Sequence, residues 1–241
     1  MNKKIVSIAV AGLLASSVTM QSASADVSFS GNVTLATDYL FRGISQTDGG
    51  PAIQGGFDLA LTNGLYAGIW ASNLDFGDDA DIEIDYYAGF GGAFTDNFGY
   101  DLGLLYYSYP SSDAASDGDY DFAEVYGSLA YDFGVVSTTV GLNYSNDFFA
   151  ASGNSTYLYI NVDVPLQHDF ALAFGFGGQS IDDNATVGIP NYNVWTIGAS
   201  KSAGGFDFAL NYSDTDMNED ECFGGSDICS DAVVFSVSKS M

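Results

Sequence analysis

The stretch FGYDLGLLYYSY, Phe98 to Tyr109, alternates with a period of two. Phe98, Tyr100, Leu102, Leu104 and Tyr106 fall on one side of an extended chain; Gly99, Asp101 and Gly103 begin the other. One side is bulky and apolar, the other small and partly charged. A helix would scatter both sets around its circumference, so the stretch reads as a strand with two unlike faces. GFDFALNYSD repeats the pattern, setting Phe206, Phe208, Leu210 and Tyr212 against Asp207, Ala209, Asn211 and Ser213. DFALAFGFGG sets Phe170, Leu172, Phe174 and Phe176 against alanines and glycines. No stretch after residue 26 sustains a helical period.

Working outward, the alternation predicts twelve strands, near 27–42, 52–62, 65–74, 81–94, 98–109, 120–131, 135–146, 155–165, 169–178, 191–200, 205–214 and 231–240. Odd strands end in longer polar loops such as GISQTDGGP, PSSDAASDGD and SDTDMNEDECFGGSDICS. Even strands end in tight turns such as TNG, TDN and YDFG. Strict long–short alternation over an even number of strands is the signature of an antiparallel transmembrane β-barrel, with short periplasmic turns and longer outer loops. Strands of this length suit a tilted crossing of about 9–11 residues. A secreted β-sandwich also alternates, but its solvent face carries Thr, Lys, Glu and Ser. Here the second face is Gly, Ala, Asn and Asp, which favours the barrel. Tyr39, Phe41, Tyr107, Tyr109 and Tyr192 lie near the long loops; Phe94, Phe98, Tyr131, Phe133, Phe170 and Phe206 lie near the short turns. Two aromatic levels predict girdles at both membrane interfaces.

The ends and totals agree. Lys3 and Lys4, the apolar run Ile5 to Ala15 and the small residues Ala23 to Ala25 read as a signal peptide over 1–25, leaving a single barrel domain over 26–241. The mature chain then carries Arg42, Lys201 and Lys239 against 31 acids, a net charge of −28. With no basic patch to meet phosphates, nucleic acid is excluded as a partner.

The segments DYLFRGISQT and PAIQGGFDLAL, followed by GLYAGIWASNLDF, EIDYYAGFGG and YDLGLLYYSYP, resemble the TorF-like family of proteobacterial outer-membrane porins, as does AVVFSVSKS near the C-terminus. The resemblance implies an outer-membrane barrel with a pore function that is itself inferred, and brings no catalytic residues. The expected partners are outer-membrane lipid, the barrel-assembly machinery and small hydrophilic solutes or ions. Outer-membrane barrels commonly end on an aromatic residue; this chain ends SVSKSM, with Met241 last.

Few residues offer chemistry. His168, the one histidine, sits in the short turn PLQHDF, away from most serines, so no enzyme is expected. No cofactor motif appears. The acidic loops DFGDDADIEID and DTDMNEDE lack the fixed glycine and terminal Glu of a calcium loop and read as a solvated surface rather than a metal site. Cys222 and Cys229, in an exported chain, are expected to form a disulfide stapling a floppy outer loop. In the first strand, Val27, Phe29, Val33, Leu35, Tyr39 and Phe41 share the lipid-facing phase, and Asp38 and Arg42 the inward one. Arg42, the only arginine, would pair with a lumenal carboxylate and pin the first outer loop, or mark a constriction. The pore-lining candidates are Asp38, Arg42, Asp58, Glu83, Asp85, Asp101, Glu124, Asp163 and Asp207. If the lumen is open, these acids predict a cation-preferring diffusion channel. The alternative is a closed barrel, its small inward residues covered by Tyr87, Tyr157 and Tyr159, acting as a structural or adhesive surface protein.

Overall fold

The computed structural model describes residues 27–112 and 120–241; the expected signal peptide lies outside the described residues. The strands are β1 (Val27–Ala36), β2 (Leu40–Phe41), β3 (Ile44–Ser45), β4 (Ala52–Leu61), β5 (Leu65–Asn73), β6 (Ile82–Thr95), β7 (Phe98–Ser108), β8 (Phe122–Asp132), β9 (Ser137–Ser145), β10 (Ser155–Pro165), β11 (Phe170–Ile181), β12 (Tyr192–Ala203), β13 (Phe206–Thr215) and β14 (Ala232–Ser240). Twelve of them, all but β2 and β3, form one closed antiparallel barrel in sequence order. Closure is made by β1 against β14, with Asn32 opposite Ser240 and Ala36 opposite Ser236. The barrel has no edge, so every strand finds partners for its backbone on both sides.

Parity decides the two faces. Phe29, Leu35, Phe57, Leu104, Val125 and Leu210 are exposed on the outer face. In water such a belt would be a large aggregation liability; against hydrocarbon it is the favourable surface. At the short-turn end Phe94, Phe98 and Tyr100 form an external aromatic cluster, with Phe94 4.6 Å from Tyr100 between ring centroids. Lys201 and Lys239 lie there too. Lys201 Nζ stands 4.3 Å from the Phe170 ring centre and Lys239 Nζ 4.8 Å from that of Phe206. Register puts each lysine on the outer face, Lys201 opposite Phe170 and Lys239 opposite Val33. An interfacial aromatic belt with snorkelling ammonium groups is the arrangement expected there.

The inner face is built differently. Gly68, Gly89, Gly103 and Gly141 sit opposite Tyr87, Tyr66, Tyr126 and Tyr159 on neighbouring strands. Each tyrosine ring lies down over its glycine; a Cβ at Gly103 would collide with the Tyr126 ring. The rings therefore fold against the wall and narrow the lumen, which any larger residue at these glycines would prevent.

The first strand corrects the sequence reading. β1 ends at Ala36, not near residue 42, and the chain turns inward. Tyr39 is buried rather than lipid-facing, and Phe41 is half-buried inside the barrel. The aromatics expected in an outer-end girdle behave alike: Tyr107, Tyr109 and Tyr192 are buried in the interior. Their parity places them inside, where the inturned segment gives them something to pack against.

Leu104→Arg, on the outer face, is expected to cost about 2–4 kcal/mol if it lies near the bilayer midplane. Asn161→Arg, on the half-exposed inner face, should cost less. Equilibrium refolding into lipid vesicles measures both, and equal costs would contradict the assigned faces.

Candidate functional site

Residues 37–51 form the first long loop, and it enters the barrel. β2 and β3 make a miniature hairpin in which Phe41 pairs with Ile44. Arg42 and Gly43 are the two turn residues, with φ of 49° and 88°. Positive φ at both central positions is what a tight hairpin needs to match strand twist. Gly43 is required twice over. Besides its φ, a Cβ there would lie 2.7 Å from Val194 and 2.8 Å from Thr215 on the wall. Arg42 occupies a backbone conformation uncommon for a long side chain, so surrounding contacts must hold it.

Those contacts cross the lumen. Arg42 Nη2 donates to Glu124 Oε1 and Oε2 on β8, both at 2.7 Å. Arg42 Nη1 donates to Gln179 Oε1 on β11 at 2.8 Å. The guanidinium also lies 4.4 Å from the Tyr157 ring centre and 4.7 Å from that of Phe41. Glu124 is held in turn by Asn143 Nδ2 at 2.9 Å and the Tyr107 hydroxyl at 3.2 Å. A planar, permanently charged guanidinium suits this ring-flanked seat, with Nη2 bridging both Glu124 oxygens while Nη1 reaches Gln179, and lysine would be a poor substitute. The ion pair is almost fully buried, with side chains 2% and 0% exposed. One hairpin thus ties β1 to two distant parts of the wall.

The hairpin base is fixed separately. Asp38 Oδ1 accepts from the Ser45 hydroxyl at 2.7 Å and the Thr47 hydroxyl at 2.9 Å. Tyr39 donates its hydroxyl to Glu83 Oε1 at 2.6 Å. The outer disulfide loop completes the seat. Cys222 and Cys229 are bonded and buried, and the intervening Ile228 carbonyl accepts the Ser45 N–H at 2.8 Å. This loop is therefore a packed cap on the hairpin, not the floppy element expected from sequence.

The nine sequence candidates separate into three groups. Arg42, Glu83, Asp85 and Glu124 are brought together inside the outer half, one cation among three carboxyl groups, all nearly fully buried. Asp85 Oδ1 has no hydrogen-bond partner there. Asp38 is drawn into the hairpin base and buried, which removes it from the position on an inward strand face that sequence assigned. Asp58, Asp101, Asp163 and Asp207 stay half-exposed on the inner face of the short-turn half. Asp58 accepts from the Tyr87 hydroxyl, Asp101 from the Tyr66 hydroxyl at 2.6 Å and Asp207 from the Ser202 hydroxyl. Sequence reading missed Gln179, Asn143 and Tyr107, which complete the Arg42 seat. Their inward parity was readable, but neutral residues carry no signal of which charge they will meet. Among the described residues, no cluster of three or more metal-ligating side chains occurs.

Two spaces flank the hairpin tip. A cavity of about 30 Å³ is lined by Arg42, Gly43, Asn161 and Asn211. A larger one of about 520 Å³ opens among the long loops, with Phe41 and Gln179 in its lining. The hairpin stands between them.

A closed twelve-stranded barrel with an apolar outer belt and an acidic interior defines the transmembrane β-barrel class. The chain belongs to the Gcw_chp family, described as a bacterial protein of unknown function, which its sequence matches over residues 20–241. No curated protein matches the sequence. Among solved structures it is similar to the KdgM porin, with a TM-score of 0.60 at 9% identity over 88% of this chain and 97% of that one. The KdgM porin in complex with disordered oligogalacturonate gives 0.61 at 10% identity, over 88% and 99% of the two chains. The NanC porin gives 0.54 at 11% identity, over 88% and 98%. At such identities the likeness is one of fold.

Glu124→Ala leaves Arg42 buried without its carboxylate partner, and is expected to cost roughly 3–5 kcal/mol of hairpin or barrel stability, the usual effect of halving a buried pair. The Arg42→Ala/Glu124→Ala double variant should cost less than the two single variants summed. Denaturant unfolding in micelles tests this; strict additivity would remove the ion pair from the account. Replacing both cysteines by serine should leave the barrel transition in place but speed amide exchange at Ser45, read by hydrogen-exchange mass spectrometry.

Proposed function

We propose that the protein is an outer-membrane channel for small hydrophilic ions, with the inturned first loop as its plug and a preference for cations. The TorF-like resemblance of Asp38 to Pro110 belongs to this reading, as do insertion by the barrel-assembly machinery and the absence of an enzymatic role.

The observation that carries the proposal is the one-sided charge of the interior. Asp58, Asp101, Asp163 and Asp207 line the short-turn half, and among the described residues no base faces inward beside them. Arg42 is neutralised by Glu124, and Lys201 and Lys239 stand on the outer face. Carboxylates in a narrow, low-dielectric passage concentrate cations and repel anions. The same feature argues against a polyanionic cargo of the kind named for the KdgM complex. Substrate choice is thus a property of lumenal charge, which a shared barrel does not transmit.

A second reading is favoured by the packing of the outer half. Tyr107, Tyr109 and Tyr157 surround the plug, which itself carries Tyr39, and all four are nearly fully buried. If the hairpin never leaves, the barrel is a structural or adhesive surface protein. The two readings part in planar-bilayer recordings. The channel reading expects rare or small steps from the unmodified protein. It expects larger or more frequent steps from Arg42→Ala, with reversal potentials favouring K⁺ over Cl⁻. The preference should fade near 1 M salt, where the Debye length is about 3 Å. Silence from both proteins at good refolding yield establishes the closed-barrel reading instead, and an anion preference removes the role given to the four aspartates.

A further inference from the structure

The larger cavity, above the plug, has a chemistry of its own. Its volume of about 520 Å³ falls within the roughly 300–1,000 Å³ of small-ligand sites. One wall is aromatic: Phe76, Tyr109, Tyr120 and Phe149 pack as a single cluster, with Tyr120 and Phe149 stacked at 4.5 Å. The lining also has an aliphatic part, which includes Ile181, Val187 and Ile189. Val187 belongs to a single helical turn, Asn184–Val187, held by Asp183, whose side chain accepts from the Thr186 N–H. Thr186 hydroxyl and backbone N–H together hold the Asp183 carboxyl below its usual range.

Among the described residues, the charged groups in the lining are Asp48, Asp75 and Asp78, with no Lys, Arg or His beside them. All three are exposed. Asp78 accepts the Tyr120 hydroxyl at 2.7 Å, which sets one carboxylate against the aromatic wall. Aromatic faces and carboxylates attract the same partner, a cation, while the aliphatic wall requires an apolar body beside it. An anion would meet repulsion from the rim, and a strongly hydrated inorganic ion would gain nothing from the apolar walls.

We propose that this vestibule binds a small organic cation with an apolar body, of the arylalkyl- or alkylammonium class. The ammonium group lies toward Asp48 and Asp75, and the apolar part lies against the aromatic and aliphatic lining. The floor is the plug itself, since Phe41 and Ile44 line the cavity and Gln179 belongs both to the cavity and to the Arg42 seat. Binding does not depend on whether the barrel conducts.

The test is isothermal titration of the refolded mature protein in lipid nanodiscs, with empty nanodiscs as reference. The probes are 2-phenylethylammonium, 2-phenylethanol and phenylacetate. Asp48→Asn/Asp75→Asn removes two rim charges. Asparagine suits the φ of 51° at residue 48 and keeps the acceptor that takes the Gly77 N–H from Asp75. The expected result is saturable binding in the order ammonium, alcohol, carboxylate. The ammonium should weaken roughly three- to tenfold in the double variant, the size of two solvent-screened charge contacts. No saturable binding above empty nanodiscs overturns the proposal. So does alcohol or carboxylate binding as tight as that of the ammonium, or unchanged affinity in the double variant. None of these readouts involves conductance, so the channel reading stands or falls separately.

Discussion

In hydrocarbon there is no water to receive an unpaired N–H or C=O, and each such group costs several kcal/mol. That constraint fixes nearly everything about the wall. It forces the sheet to close through β1 and β14, and it makes each strand two-faced, because one side meets lipid and the other an enclosed interior. The outer face is then free to be a belt of Phe, Leu, Ile and Val. The inner face must solve the harder problem of placing polar groups where water is scarce.

The interior solves it in two ways along the barrel axis. In the short-turn half, four aspartates remain half-exposed, and three of them accept tyrosine or serine hydroxyls. In the outer half, water is replaced by protein. The first loop supplies a hairpin whose tip carries the one arginine, and its guanidinium satisfies Glu124 and Gln179 across the lumen. A buried ion pair adds little net stability over an apolar alternative, because both charges lose their hydration. Its value here is positional. The seat brings two carboxylate oxygens, an amide oxygen and flanking rings together, and so fixes where the loop lies.

The plug also links the functional readings. The same hairpin separates the acidic short-turn half from the aromatic vestibule and contributes residues to both sides. A permeating ion and a vestibule ligand would meet opposite faces of one small element. The disulfide loop, bonded to the hairpin through Ser45, makes the cap part of that element rather than an ornament of the surface.

The twelve-stranded barrel, its loop asymmetry and the parity of residues such as Leu104 and Asp101 were legible in the sequence. Parity is a local property of an extended chain, and lipid on one side enforces it at every second residue. Within one or two residues the ends of most strands were legible too, since glycine, asparagine and aspartate mark the turns. The first strand misled because Tyr39 and Phe41 continue its alternation beyond Ala36, and periodicity does not register that a chain has left the sheet. Where the loop goes, and that Tyr107 and Tyr192 face it rather than lipid, depends on the diameter of the closed barrel and on residues 82 and 137 positions away from Arg42 meeting in space. Sequence by itself determined a two-faced wall, because that follows from backbone geometry and solvent. Tertiary structure alone decided what fills the lumen, because the partners of Arg42 become neighbours only when the barrel shuts.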